Sequence, residues 1–232
     1  MPGKRTDLIS ERDVEVLDFI ARFGVVPRSA VATWAGTGRS VTGARQMRLR
    51  KTGLIVVSRG FGDSGPLLTA TRSGLRACGR GELSPARISP ALIRHESIVA
   101  GVAAAMERLG VELLSERQIL AHERAEGSRV LSAAISGGRF HRADMVRVDR
   151  SGNALEAIEV ELTAKKKERL DELLRAWRRV VGQGRVGGVT YRCPPHTRRL
   201  VERAVERTKT GGAISVEGLE GGRACEKDVV GR

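Results

Sequence analysis

Between Ser10 and Ala70 glycine and proline divide the chain into segments of helix or strand length, and this punctuation constrains the fold more than any other feature. Ser10 ahead of Glu11-Arg12-Asp13 reads as a helix N-cap with acids in the first turn. Val16, Leu17, Ile20 and Phe23 then recur at helical spacing up to a stop at Gly24. Pro27 opens a short second helix through Trp34, which Gly36-Thr37-Gly38 closes. A third helix is expected from Arg39 to Thr52, with Gly53 as its stop. Leu54-Ile55-Val56-Val57 and Pro66 to Ala70 read as strands around the turn Gly60-Phe61-Gly62-Asp63-Ser64-Gly65, and Thr71 to Cys78 as a further helix.

Three helices followed by a glycine-rich hairpin pack most simply as a winged helix-turn-helix, so residues 1–80 are expected to form such a domain. The breaks across 81–90 read as a linker. Beyond it, 91–218 are expected to fold in the order αβββαβαβ, and 219–232 to form a flexible tail. That order rests on a helix from Ala91 to Leu109 and a strand at Val111 to Glu116. Strands at His141 to Asp149 and Ala154 to Leu162 follow, joined by the turn Arg150-Ser151-Gly152-Asn153. Thr163 is expected to cap a helix whose apolar face is Leu170, Leu173, Leu174, Trp177, Val180 and Val181. A strand at Gly187 to Tyr191, a helix at Pro195 to Arg207 and a strand at Ala213 to Val216 complete an α+β protein.

Charge gives this architecture a partner. Lys and Arg number 41 against 27 acids, for a net charge of +14, and only seven of the 41 are Lys. Codon bias raises Arg, Ala and Gly together, so the excess by itself decides little, but the distribution does. No acid lies between Asp18 and Asp63, whereas Arg22, Arg28, Arg39, Arg45, Arg48, Arg50, Lys51 and Arg59 all do. An acid-free run of this kind is the footprint of a polyanion binder, and double-stranded DNA is the expected partner. At about 100° per residue, Arg39, Thr42, Gly43, Gln46 and Arg50 fall on one face of the third helix, opposite Val41 and Ala44. This is the expected base-reading face, with Arg45, Arg48 and Lys51 flanking it toward phosphates and Arg59 reaching from the wing. The alternative is a solvated face that docks another protein, and a second copy of the chain is a further candidate partner.

Cys78, Cys193 and Cys225 are odd in number and scattered, which supports neither a disulfide framework nor a zinc knuckle. His95, His122, His141 and His196 lack zinc spacing and read as structural or exposed. No apolar run approaches the roughly 18 residues of a membrane span, and the opening Lys4, Arg5 and Asp7 are unlike a signal core. The expected location is cytoplasmic, associated with nucleoid or plasmid.

In Ala157-Ile158-Glu159-Val160-Glu161-Leu162, alternation sends Ile158, Val160 and Leu162 to one face and Glu159 and Glu161 to the other. Pairing through the turn at Gly152 brings Asp144 beside Glu159. Carboxylates so close require a cation, basic neighbours or a shared proton. The constellation resembles the PD-(D/E)XK nuclease-like superfamily, with Asp144 as the first motif acid and Glu159 as the second. That resemblance implies Mg²⁺ on Asp144 and Glu159 and a water-activating Lys two residues on, where this chain has Glu161. Lys165 is the candidate replacement and Glu96 a candidate further ligand. The chain also resembles the replication-relaxation family of plasmid and mobile-element proteins. This likeness rests on Leu68-Thr69-Ala70-Thr71-Arg72-Ser73-Gly74-Leu75, His95, Ser115-Glu116-Arg117, His141-Arg142-Ala143-Asp144 and Glu159-Val160-Glu161-Leu162-Thr163-Ala164-Lys165. It implies a role in DNA replication, relaxation or transfer. Two functions stay open: a DNA-binding accessory or regulatory protein with a relic acidic cluster, and a Mg²⁺-dependent endonuclease using Asp144, Glu159, Glu161 and Lys165.

Overall fold

The computed structural model describes residues 9–60, 65–163 and 165–219. The chain is mixed α+β and divides into two compact units, residues 1–110 and 111–232.

In the first unit the chain runs α1 (Glu11–Phe23), β1 (Val26–Pro27), α2 (Arg28–Ala35), α3 (Arg39–Lys51), β2 (Ile55–Arg59), β3 (Pro66–Ala70), α4 (Arg72–Ala77) and α5 (Ile93–Arg108). Ser10 caps α1 in a reciprocal box with Asp13, and Gly24 ends the helix at φ 79°. Pro27 precedes α2, and Gly36 closes it in the left-handed region that a side chain would strain. The strands form an antiparallel sheet in the order β1-β3-β2, with Ile55 opposite Ala70 and Arg59 opposite Pro66. Leu17, Phe19 and Ile20 of α1 are buried, as are Leu49, Leu67, Leu68 and Leu75. Phe19 stacks on Trp34 at 5.3 Å between ring centroids. The expected turn residues 61–64 lie outside the described residues.

The expected domain boundary needs correction. Segment 81–90 is not a free linker: Leu83 is buried and its carbonyl accepts from Arg72. Ala86 and Ile88 pack against Val25, Leu67 and Ile93. Helix α5, expected to open the second domain, belongs to the first unit. Ile93 joins that cluster, and near the other end of α5 Glu107 accepts from both terminal guanidinium nitrogens of Arg22 and from Trp34 Nε1. Alanines at 100, 103 and 104 are fully buried along the same helix. A helix with apolar and charged anchors on one body is placed by them, whatever its distance along the chain.

In the second unit the chain runs β4 (Glu112–Ser115), α6 (Glu116–Glu126), β5 (Ser132–Ile135), β6 (Arg139–Arg142), β7 (Met145–Val148), β8 (Ala154–Val160), α7 (Lys167–Gly182), β9 (Val189–Cys193), α8 (Pro195–Thr208) and β10 (Ile214–Gly218). Five strands form one sheet in the order β10-β9-β8-β7-β4. The pairs β4/β7 and β7/β8 are antiparallel, while β8/β9 and β9/β10 are parallel across α7 and α8. Leu170, Leu173, Leu174, Trp177 and Val180 of α7 share a buried cluster with Ala157, Val189 and Tyr191 of the sheet.

Several expected boundaries shift. Helix α6 and the separate β5–β6 hairpin fall largely between the strands expected at Val111 to Glu116 and at His141 to Asp149, where the order αβββαβαβ has no element. Ser115 and Gln118 box the start of α6, a signal present in the sequence. His141 and Arg142 belong to β6, paired with Ala133 and Ser132, so the strand expected from His141 starts at Met145. Thr163 does not cap α7, which begins at Lys167 with Lys166 at the cap position and no side-chain cap bond. The tail from residue 220 lies outside the described residues. Among the described residues no helix is long and apolar enough to cross a membrane.

Candidate functional site

Two groups of residues were singled out by sequence, one in each unit. On α3 the rotation differs from the expectation. Thr42 is 2% exposed; its hydroxyl donates to the Gly38 carbonyl at 3.0 Å and shares a bond with Thr37. Leu49, two turns on, is fully buried, and Gln46 between them is half-buried. These side chains turn inward. Val41, placed on the inward side by the sequence pattern, is 49% exposed, and Met47 is 71% exposed.

The cause is a charge on α1. Asp13 is 1% exposed and accepts from Arg48 Nε at 3.2 Å and Nη2 at 3.0 Å, with Arg45 Nη1 at 3.4 Å. Burial pushes the Asp13 carboxyl up, yet hydrogen bonds from Arg48 and Ser10 outweigh it and hold it below the ordinary 3.8. Arg45 and Arg48 are therefore tied to the fold. Thr42 and Gln46 are likewise removed from the expected reading face. Arg39, Arg50, Lys51 and, at the end of β2, Arg59 remain exposed, as sequence suggested. The solvent side of α3 thus carries cations at both ends and an apolar centre.

In the second unit, Met145 pairs with Ile158, and the same antiparallel register extends to Asp144 beside Glu159. An Asp144 carboxylate oxygen accepts the Val160 N–H at 2.7 Å. Glu159 is 5% exposed, and one oxygen receives both His141 Nε2 at 2.8 Å and Trp177 Nε1 at 2.9 Å. Glu161, equally buried, is ion-paired with Lys165. Glu116, noted in the sequence only within Ser115-Glu116-Arg117 and not assigned to the site, donates its backbone N–H to the Asp144 carbonyl at 3.0 Å. Burial, then the Asp144 charge, raises its carboxyl above 4.5. Glu96 lies on α5, in the first unit.

The donor set does not fit the Mg²⁺ that the nuclease-like resemblance implies. One Glu159 oxygen is occupied by two N–H donors, Glu161 is neutralised by Lys165, and Asp144 holds a backbone amide. Among the described residues no group of three or more His, Cys, Asp or Glu is arranged to hold a metal ion. The cluster is neutralised from within. Burial opposes charging His141, but the Glu159 carboxylate beside it prevails and raises the imidazole above 6.5. Burial raises Glu159 above 4.5 despite His141, with Asp144 adding to the rise. Burial and the Glu161 charge push the neighbouring Cys193 thiol up to about 12, so it is inert at neutral pH.

These directions fix a pH dependence. His141 holds its proton more tightly in the folded chain, so its stabilisation is complete below 6.5 and is lost as pH rises through its folded value. Glu159 and Glu116 also hold protons more tightly when folded, so their ionisation above 4.5 costs the fold. Glu172, drawn down to about 2 by Ser136 and then Arg169, acts oppositely and loses its contribution as pH falls below 4.5. The second unit is expected to unfold at a higher temperature near about pH 6 than near about pH 8, and Glu159→Gln to flatten that difference. Calorimetry across pH checks it; a midpoint that climbs from pH 6 to 8 contradicts it.

No family model matches the chain, and no curated protein matches it.

Proposed function

We propose that the chain is a duplex-DNA-binding accessory or regulatory protein of a mobile element, acting in replication, relaxation or transfer. In this proposal the first unit works as a winged helix-turn-helix. Helices α2 and α3, separated by Gly36-Thr37-Gly38, are the helix-turn-helix pair, and the β2–β3 hairpin is the wing. The single observation that carries the reading is the solvent side of α3 and β2. Arg39, Arg50, Lys51 and Arg59 are exposed there, within a stretch holding no acid from residue 19 to 62. Such a surface releases counterions on meeting a phosphate backbone, whereas an acid would repel it. In this reading the second unit is a PD-(D/E)XK-like domain whose carboxylates serve structure, and the adjacency of Asp144 and Glu159 supports it. The mobile-element role rests on the resemblance of the segments around Leu68, His141 and Glu159 to the replication-relaxation family.

Retention of duplex DNA is expected to fall steeply with salt. In Arg39→Ala/Arg50→Ala/Lys51→Ala the slope of log affinity against log salt should shrink by roughly one per lost cation. Equal slopes for the two proteins would remove α3 from the interface. The rival endonuclease has one observation in its favour, the register adjacency of Asp144 and Glu159. With Mg²⁺ present, supercoiled DNA is expected to survive; nicking abolished by Glu159→Gln would reverse that preference.

A further inference from the structure

Between the cations at its two ends, the outward face of α3 presents apolar side chains. With Thr42 and Leu49 pointing inward, the opposite side of the helix is Ser40, Val41, Ala44, Met47 and Lys51. Gln46, the amide expected to read adenine, is half-buried. Val41 and Met47 leave 49% and 71% of their surface to solvent, and Ala44 between them is exposed and short. Exposed Met and Val at the centre of a helix with Arg39, Arg50 and Lys51 around them are an unpartnered apolar strip inside a cationic frame.

We infer that this strip reads the 5-methyl groups of thymine in the major groove. The inference rests on the DNA-binding proposal and adds the class of base selected. The cationic frame complements a phosphate backbone and places whatever it flanks against the groove floor. There each A·T pair presents one apolar group, the thymine methyl, beside its polar atoms, while G·C presents only donors and acceptors. Valine and methionine offer no hydrogen bond. Against G·C they would bury polar base edges without compensation, and against A·T they bury a methyl. Methionine's unbranched thioether adapts to either strand's methyl, and Ala44 lets the helix approach closely. Selection is therefore for A·T-containing sites, by shape and apolar contact.

The test uses the full chain and a randomised duplex pool, enriched for the retained fraction and recopied with either dTTP or dUTP. Uracil pairs as thymine does and lacks only the methyl. The thymine pool is expected to bind more tightly by about fourfold for each methyl buried, with an unchanged salt slope. Val41→Ser/Met47→Ser, both at exposed positions, is expected to bind the two pools alike and to keep the slope and the far-ultraviolet circular dichroism. Equal affinity of the unmutated chain for both pools, with a steep salt slope, overturns methyl reading and leaves DNA binding standing. Failure to retain either pool at low ionic strength overturns both. If the double variant instead loses a self-associated species in sedimentation while thymine preference persists, the strip belongs to a second copy of the chain and the inference fails.

Discussion

Glu107→Ala is expected to destabilise the first unit by about 3–5 kcal/mol, the usual cost of removing one partner from a buried ion pair. Glu107 and Arg22 side chains are each 10% exposed, and the guanidinium spans both carboxylate oxygens at 2.6 and 2.7 Å. Removing Glu107 also orphans Trp34 Nε1, which donates to it at 2.8 Å. Burial works against the Arg22 charge, and the Glu107 hydrogen bond overcomes it. Asp18 remains on Arg22 Nε at 2.9 Å, but it also serves Arg80 and cannot replace a bidentate partner. Urea denaturation should show a lower midpoint with an unchanged slope, and Glu107→Gln, which keeps one acceptor, should lose less. Loss of under about 1 kcal/mol would mean that the pair is solvated and that α5 is not anchored through it.

Glu159→Ala is expected to cost the second unit a similar amount, about 3–5 kcal/mol, because His141 and Trp177 would keep their N–H groups and lose the acceptor they share. Two outcomes separate this structural role from a catalytic one. In Glu159→Gln the His141 titration, followed by NMR, should drop below its ordinary 6.5, since burial persists while the raising charge is gone. Salt-dependent retention of DNA should be untouched. A Glu159→Ala chain as stable as its parent would show that the network contributes nothing to the fold, and the acids would then need another explanation.

How much of this was legible in the sequence follows how local each signal is. The Ser10 cap, the Gly24 and Gly36 stops and the β2–β3 hairpin were read to within a residue or two, because a cap or a left-handed turn involves neighbours in the chain. The turn at Gly152 made the β7–β8 hairpin legible, but Asp144 reaches Glu159 through a one-residue register shift between Arg147 and Val148 that the sequence pattern did not show. Helix α6 carried its own signal in Ser115 and Gln118, which went unread. The β5–β6 hairpin turns at Gly137 and Gly138, both at positive φ, but its placement depends on Ser132, whose hydroxyl donates to buried Glu123.

Where a helix turns its faces and where a domain ends are decisions of another kind. The amino-acid order determined that α3 exists, that it is cationic and that no acid flanks it along the chain. Which cations reach solvent was decided by Asp13, buried 35 residues earlier, which draws in Arg48 and leaves Val41 and Met47 outside. Likewise a helix from Ala91 to Leu109 was read from the sequence, but Arg22, Trp34 and the cluster around Ile93 assign it to the first unit. Hydrophobic periodicity measures an element's own geometry, whereas neutralising a buried charge depends on a partner distant along the chain.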